Sequence, residues 1–374
     1  MLRFNSDHKF KIMQIADTQE IPAVSPDTLS LINNALDREK PDLVIFTGDQ
    51  IKGYSKKFKK DPAIIESTID ILVEPIAKRN IPFMVTYGNH DAQCSVDNRG
   101  QYKFYAKYDN FISGNLRNAD DVGTADIQIY SSTEDKPVFE LYIIDSHGKA
   151  KDGAGYAPVD KEQIEWYVSR REQLKAENGD YLPSLVFQHI PVPEFFDVIK
   201  KVPKGTKGAV PAYGEHENEY FVLNDETIAE GGFMLESPAS PDVNTGEFEA
   251  MSEKGDVLGI YVGHDHNNSF VVKYKGVDLG YTQGAGFNVY GPGENRGVRI
   301  LELDETAPRE YKTHTATFKE LCGTKIKTPV KEFIYKHAPT SPRAVKPILI
   351  KIGIGIAAIA AVYAAYKFFT GFNI

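Results

Sequence analysis

Cysteine is almost absent from this chain: Cys94 and Cys322 stand alone and far apart. That excludes a disulfide framework and any zinc-type cysteine spacing, leaves room for at most one disulfide, and fits a reducing compartment best. An excess of positive charge is missing as well. With 43 Lys and Arg against 52 Asp and Glu, the formal net charge is -9 at pH 7, which argues against duplex nucleic acid as a partner. It does not argue against an anionic substrate, because bound cations invert the local potential. The amino-terminal MLRFNSDHKFKIMQIAD has no apolar stretch of signal-peptide length, so the chain is expected to begin folding in the cytosol. Tryptophan occurs once, but 21 Phe and 20 Tyr supply apolar area for a core without staples. There is no internal repeat and no long low-complexity tract.

What is present alternates. The 374 residues suit one large α/β domain or two small ones. Lys9 to Ala16 reads as a buried strand, and Asp42 to Thr47 and Ile81 to Thr86 are continuous apolar runs. Between them lie helical patterns over Asp27 to Arg38, with Ser25 as cap and Pro26 at the first helical position, and over Ala63 to Lys78. Strand, helix, strand, helix, strand is the signature of a sheet with crossover helices. Further strands are expected over Val138 to Ile144, Ser184 to Phe187, Val257 to Val262, Phe270 to Tyr274, Val277 to Tyr281 and Val298 to Leu303, with a helix over Lys161 to Lys175. Residues 202–246, rich in Gly, Pro, Asn and acids, read as a long surface excursion.

The informative polar residues come directly after the apolar runs. The first strand ends in Asp17-Thr18-Gln19, the second in Gly48-Asp49, the third in Gly88-Asn89-His90-Asp91. Phe187 is followed by Gln188-His189, and Val262 by Gly263-His264-Asp265-His266. In open α/β sheets ligands bind outside the carboxyl ends of the strands, so these residues are expected on one rim. Singly, each motif is ordinary turn chemistry or a buried histidine. Together they are a set of oxygen and imidazole donors suited to metal.

In that order the segments resemble the calcineurin-like metallophosphoesterase family, whose pattern runs Asp-x-His, Gly-Asp, Gly-Asn-His-Asp/Glu, a lone His, then Gly-His-x-His. The flanking FKIMQIADTQ, VIFTGDQI, FQHIPVPEF, GDVLGIYVGHDHNN and QGAGFNVYG look like the branch with plant purple-acid-phosphatase-29-like proteins and the fungal phosphatase Dcr2. The resemblance, over roughly residues 9 to 305, implies an α/β fold of two stacked mixed β-sheets flanked by helices. It implies two divalent metal ions, with Asp49 bridging, Asp17 and His266 completing the first site, and Asn89, His189 and His264 completing the second. His90 is implied as the catalytic group beside the phosphate, stabilising charge and protonating the leaving oxygen, with Asn89 also at the substrate.

One position departs from that pattern: Gln19 stands where the family has His. As a ligand, its neutral amide oxygen favours Mn²⁺ or Mg²⁺ over Zn²⁺ or Fe; alternatively it only hydrogen-bonds to the ligands, and the first metal lacks one. His147 is an outside candidate for a replacement imidazole, and Asp265 is expected to face away or to orient a histidine. Asn288 and Tyr290 lie in the Gly-rich QGAGFNVYGPG, where backbone approaches substrate closely or simply turns; Asn288 is taken as a substrate-binding candidate.

The chain closes on an apolar tail. From Ile348 to Tyr366 every residue is apolar or small except Lys351, and basic residues precede the segment. The expectation is a catalytic domain over 1–322, a basic linker over 323–346, and a transmembrane helix within 347–374 that anchors the enzyme with its catalytic domain facing the cytoplasm. A ridge of Gly353, Ala357, Ala361 and Ala365 would suit a homodimer through that anchor; a helix buried against the enzyme is the alternative. The expected function is metal-dependent hydrolysis of a phosphorylated substrate, monoester or diester. The competing readings are a metal-poor protein that binds phosphorylated ligands without turnover, and a phosphodiesterase acting on lipid headgroups.

Overall fold

The computed structural model describes residues 1–337 apart from 152, 154, 225–227 and 229–231. In chain order its elements begin with β1 (Lys9–Ile15), α1 (Pro26–Glu39), β2 (Leu43–Thr47), α2 (Pro62–Ala77), β3 (Phe83–Thr86) and α3 (Asn98–Tyr105). There follow β4 (Ala125–Tyr130), β5 (Pro137–Ile144), α4 (Lys161–Asn178), β6 (Ser184–Gln188) and α5 (Glu247–Ser252). The remainder is β7 (Val257–Val262), β8 (Asn268–Tyr274), β9 (Val277–Tyr281), β10 (Gly297–Asp304), β11 (Tyr311–Thr317), α6 (Phe318–Cys322) and α7 (Pro329–His337).

Two mixed sheets result. One runs β11-β10-β1-β2-β3, with β1, β2 and β3 parallel and β10 antiparallel to both its neighbours. The other runs β4-β5-β6-β7-β9-β8, parallel from β5 to β9 and antiparallel between β4 and β5 and between β9 and β8, with Leu2–Arg3 added in parallel outside β4. Side chains alternate along each strand, so one strand serves two cores. Phe10, Ile12, Leu43, Ile45 and Met84 pack with Phe139, Leu141, Leu185 and Phe187 between the sheets. Met13, Ile15, Val44 and Phe46 point the other way and pack with Leu31, Ile32, Ile69 and Leu72 of α1 and α2. On the far face of the larger sheet, Tyr142, Val186 and Ile260 pack with Tyr167 of α4 and Phe248 of α5. Burial on both faces explains why these strands read as unbroken apolar runs.

Near the site the sheets are also joined by polar side chains. Buried Gln14 donates from Nε2 to Thr47 Oγ1 at 3.0 Å and accepts at Oε1 from Thr282 Oγ1 at 2.6 Å. A buried amide with both ends paired fixes the spacing of the sheets where the parallel strands end.

Within 202–246 the chain is not a bare excursion: Ile199–Lys201, Val210–Pro211 and Tyr220–Leu223 form a three-stranded sheet, and Phe233–Met234 pairs with β8. Cys94 and Cys322 are both free. The first compact unit is Met1–Thr328, and α7 belongs to the second.

The transmembrane helix is corrected: among the described residues no helix is long and apolar enough to cross a membrane. The last described helix, α7, has 9 residues, PVKEFIYKH, with charges along it, whereas a span needs about 20 apolar residues. Segment 347–374, on which the expectation rested, lies outside the described residues. The described residues form mixed sheets with helices and hold no spanning helix. The expected anchor and the cytoplasm-facing placement that rested on it are overturned by this finding.

Candidate metal centre

The ends of β1, β2, β3, β6 and β7 meet at one place. The turns that follow them are sharp, and Asp17, Gln19, Asp49 and His264 all take left-handed backbone conformations, with φ of 53°, 33°, 53° and 70°. Such conformations are costly for residues other than glycine and persist where the surroundings over-determine them. Gly48, at φ 92°, shows how tight the packing is: a Cβ there would come within 2.6 Å of Gly88 N and of His189 Nδ1.

Each carboxylate is split between two tasks. Asp17 Oδ2 accepts the His264 amide at 2.8 Å, and Asp49 Oδ1 accepts the His90 amide at 2.8 Å. The remaining oxygens, Asp17 Oδ1 and Asp49 Oδ2, face a common space with His189 Nε2, at 4.0 and 3.5 Å from it. These three buried groups present ligand atoms within 4.8 Å of one another.

The imidazoles are held from behind by backbone carbonyls. His189 Nδ1 sits 2.9 Å from Thr47 O, and His266 Nδ1 sits 2.9 Å from Tyr290 O. Donation there leaves the Nε2 lone pair of each ring toward the carboxylates, the arrangement typical of metal-ligating histidine.

The donor atoms form two groups that share Asp49. Asn89 Oδ1 and His264 Nδ1 each lie 3.2 Å from His189 Nε2, beside Asp49 Oδ2. On the other side His266 Nε2 lies 3.2 Å from Asp17 Oδ1 and 3.2 Å from Gln19 Nε2, and Gln19 Nε2 donates to Asp49 Oδ2 at 2.7 Å. Asn89 Oδ1 and a deprotonated His264 Nδ1 are both acceptors, and one proton on His189 Nε2 cannot serve both. Asp17 Oδ1 and Gln19 Oε1 are buried with no hydrogen-bond partner among the described residues. Orphaned oxygens and converging lone pairs are what a cation would satisfy, so the residues present fit divalent metal.

The electrostatics agree. Burial works against a charged His189, but the Asp49 and Asp17 carboxylates outweigh it and push its pKa up to about 10. Burial would likewise raise Asp49, yet the charges of His189 and His90 hold it well below the usual carboxylate range. His264 is driven down by burial and by His189, so it stays a neutral donor. Two carboxylates thus demand positive charge at this point, and a cation supplies it in place of a proton.

Of the sequence-derived candidates, the structure brings together Asp17, Gln19, Asp49, Asn89, His189, His264 and His266, with His90 at the rim. The His90 side chain is 27% exposed, its Nε2 4.0 Å from Asp49 Oδ2 and its Nδ1 2.9 Å from Gln93 Oε1. Asn288 is different: it is fully buried and donates its amide to Glu20 and to the Ala23 carbonyl, bracing the Gly-rich loop. His147 pairs with Asp160, 3.5 Å away. Asp265 does face away, accepting from Tyr281 Oη at 2.5 Å and Ala239 N at 3.0 Å.

Sequence reasoning gave no role to Asp91, whose carboxylate collects the amides of Asp49 at 2.7 Å, Gly88 at 2.8 Å and Ile51 at 3.3 Å. It ties the second and third turns together, and the signal for it was its place in Gly-Asn-His-Asp. Tyr290 and Glu236, behind His266, were also missed in this role; only their contacts across the fold disclose it.

A model of the family described as calcineurin-like phosphoesterase matches residues 10–268. The Arabidopsis thaliana proteins named "Probable inactive purple acid phosphatase 14" and "Probable inactive purple acid phosphatase 29" are 29% and 27% identical to this chain. The alignments cover 80% and 83% of it, and 77% and 81% of those proteins. "Phosphatase DCR2" of Saccharomyces cerevisiae is 28% identical over 305 residues, 73% of this chain and 46% of its own length.

Proposed function

This chain belongs to the calcineurin-like phosphoesterase family, and from that premise we propose that it hydrolyses phosphoric esters with two metal ions, for which two donor groups sharing Asp49 would serve. The observation that carries the proposal is the pair of donor groups meeting at Asp49 Oδ2, each with its histidine braced by a main-chain carbonyl. Asp17, Asp49, His266 and Gln19 would hold one cation; Asp49, Asn89, His189 and His264 would hold the other. When bound, two cations would activate water and neutralise charge on the transferring phosphoryl group. Mn²⁺ or Mg²⁺ suits the oxygen-rich first set best, with Fe or Zn²⁺ as the alternatives.

The protein's own groups do the rest. Asn89 offers its amide nitrogen, which has no partner among the described residues, to a phosphoryl oxygen. Gln93 accepts from His90 Nδ1, which holds the ring with Nε2 on the side of Asp49, where His90 as an imidazolium would pass its Nε2 proton to the leaving oxygen. Gly48 and Gly88 let three turns close on one another and keep the space small.

The test is turnover of generic phosphate monoesters and diesters by the purified full-length chain across Mn²⁺, Mg²⁺, Zn²⁺ and Fe²⁺. Activity should require added metal and vanish in Asp49→Asn. In His90→Ala it should fall by about 10² to 10⁴, and by less for esters with good leaving groups. Metal-independent turnover, or an active Asp49→Asn, overturns the mechanism. A second reading, ligand binding without turnover, is favoured by the Gln19 amide already bonded to Asp49 and by "inactive" in the names of two relatives. Tight binding of inorganic phosphate with no hydrolysis under any metal would select it.

A further inference from the structure

We propose that Tyr290 is a positioning residue for one half of the centre: it holds His266 in the plane and tautomer that ligation needs, and Glu236 holds Tyr290. This rests on the two-group donor arrangement proposed above. Three contacts converge. The Tyr290 carbonyl lies 2.9 Å from His266 Nδ1, which puts the proton on Nδ1 and the Nε2 lone pair toward Asp17. The Tyr290 ring stacks on the imidazole with centroids 4.3 Å apart and planes at 3°, so the ring cannot turn about its χ2 without losing the stack. The Tyr290 hydroxyl donates to Glu236 Oε2 at 3.2 Å, and Glu236 Oε1 accepts the amide of Asn267, the residue after His266, at 2.8 Å.

These links close a ring: His266 to Tyr290, Tyr290 to Glu236, Glu236 to Asn267, and along the chain to His266. A ring closed on itself fixes orientation better than one bond does. The other half of the centre is built differently. His189 leans on the Thr47 carbonyl, and its aromatic neighbour, His264, meets it edge-on at 72° and is itself one of the donors. The consequence is asymmetric: losing the Tyr290 ring should loosen the site of His266 and leave that of His189 and His264 intact.

Calorimetric titration of the metal-free full-length protein with Mn²⁺ tests this, with His266→Ala as the reference that identifies the affected equivalent. Tyr290→Leu keeps the carbonyl but removes the stack and the hydroxyl. It should weaken that same equivalent by about 10- to 100-fold, the range for partners of metal-bound histidine, while the other changes by less than about threefold. Tyr290→Phe, which keeps the stack, should lose much less. Because the readout is binding, it holds whether or not the wild type turns over any ester, and the comparison with His266→Ala stands whether wild type takes two cations or one. The proposal fails if Tyr290→Leu leaves the His266 equivalent unchanged. It fails equally if Tyr290→Phe costs as much as Leu, or if both equivalents weaken alike with an unchanged Tm.

Discussion

Gln19 is the residue where this chain departs from the family pattern, and the structure gives the departure a definite geometry. Its amide nitrogen donates to the shared oxygen of Asp49 at 2.7 Å and stands 3.2 Å from His266 Nε2, while its oxygen is buried without a partner. A neutral amide in this position makes the first donor set poorer in nitrogen than one with a second imidazole. Gln19→His should therefore move metal preference from Mn²⁺ toward Zn²⁺, by about tenfold in relative affinity. Gln19→Ala should lower occupancy of one equivalent only. Elemental analysis of the three proteins after identical loading decides it; equal metals and occupancies in all three would reduce Gln19 to a hydrogen-bond donor. At this scale the candidate ligand residues were legible because each follows an apolar run. Asp91, Tyr290 and Glu236 were not, because their roles are contacts with segments remote in sequence, and nothing in a local pattern encodes a stack on His266 or three amides gathered on one carboxylate.

The elements were legible where burial on both faces writes continuous apolar text, as in LVIFT of β2 and VLGIYV of β7. They were not where one face is wet. β11 reads YKTHTAT, a polar edge strand that exists because β10 offers it a full antiparallel ladder from Gly297–Thr317 to Leu303–Tyr311. β4, whose ADIQIY alternates but is interrupted by Asp126 and Gln128 and so offers no unbroken apolar run, was missed, as was the short polar α3. What the elements contribute to the site is closeness at their ends, and two glycines separate closeness from backbone conformation. Gly48 (φ 92°) and Gly179 (φ 87°) both take left-handed conformations, but a Cβ on Gly179, the cap of α4, would meet nothing within 4 Å. Gly179→Ala should cost about 1 kcal/mol of stability and keep metal binding. Gly48→Ala should cost about 1–3 kcal/mol and also lose metal, since its Cβ pushes the Gly88 turn and His189 apart. Denaturant unfolding with metal titration checks both, and a Gly48→Ala protein that binds metal normally would contradict the close-approach reading.

For the whole molecule, the two sheets matter as the frame that brings together residues from Asp17 to His266. The core between them, from Phe10 and Ile45 to Leu141 and Phe187, fixes their separation, and Gln14 with Thr47 and Thr282 fixes it again beside the site. The α/β class and the meeting of strand ends could be read from the sequence; that the strands divide into two sheets came from resemblance, since alternation alone does not say which strands pair. The apolar tail shows the opposite case, a local pattern read as a membrane span that no described helix supports. The central claim is that Asp49 joins two cation sites. The most direct test is metal content per chain of full-length protein loaded with Mn²⁺ and then freed of unbound ion, wild type against Asp49→Asn. The account predicts two Mn²⁺ per wild-type chain and less than one in Asp49→Asn with the fold retained. A wild type that carries none, or an Asp49→Asn protein that carries as many as wild type, would contradict it.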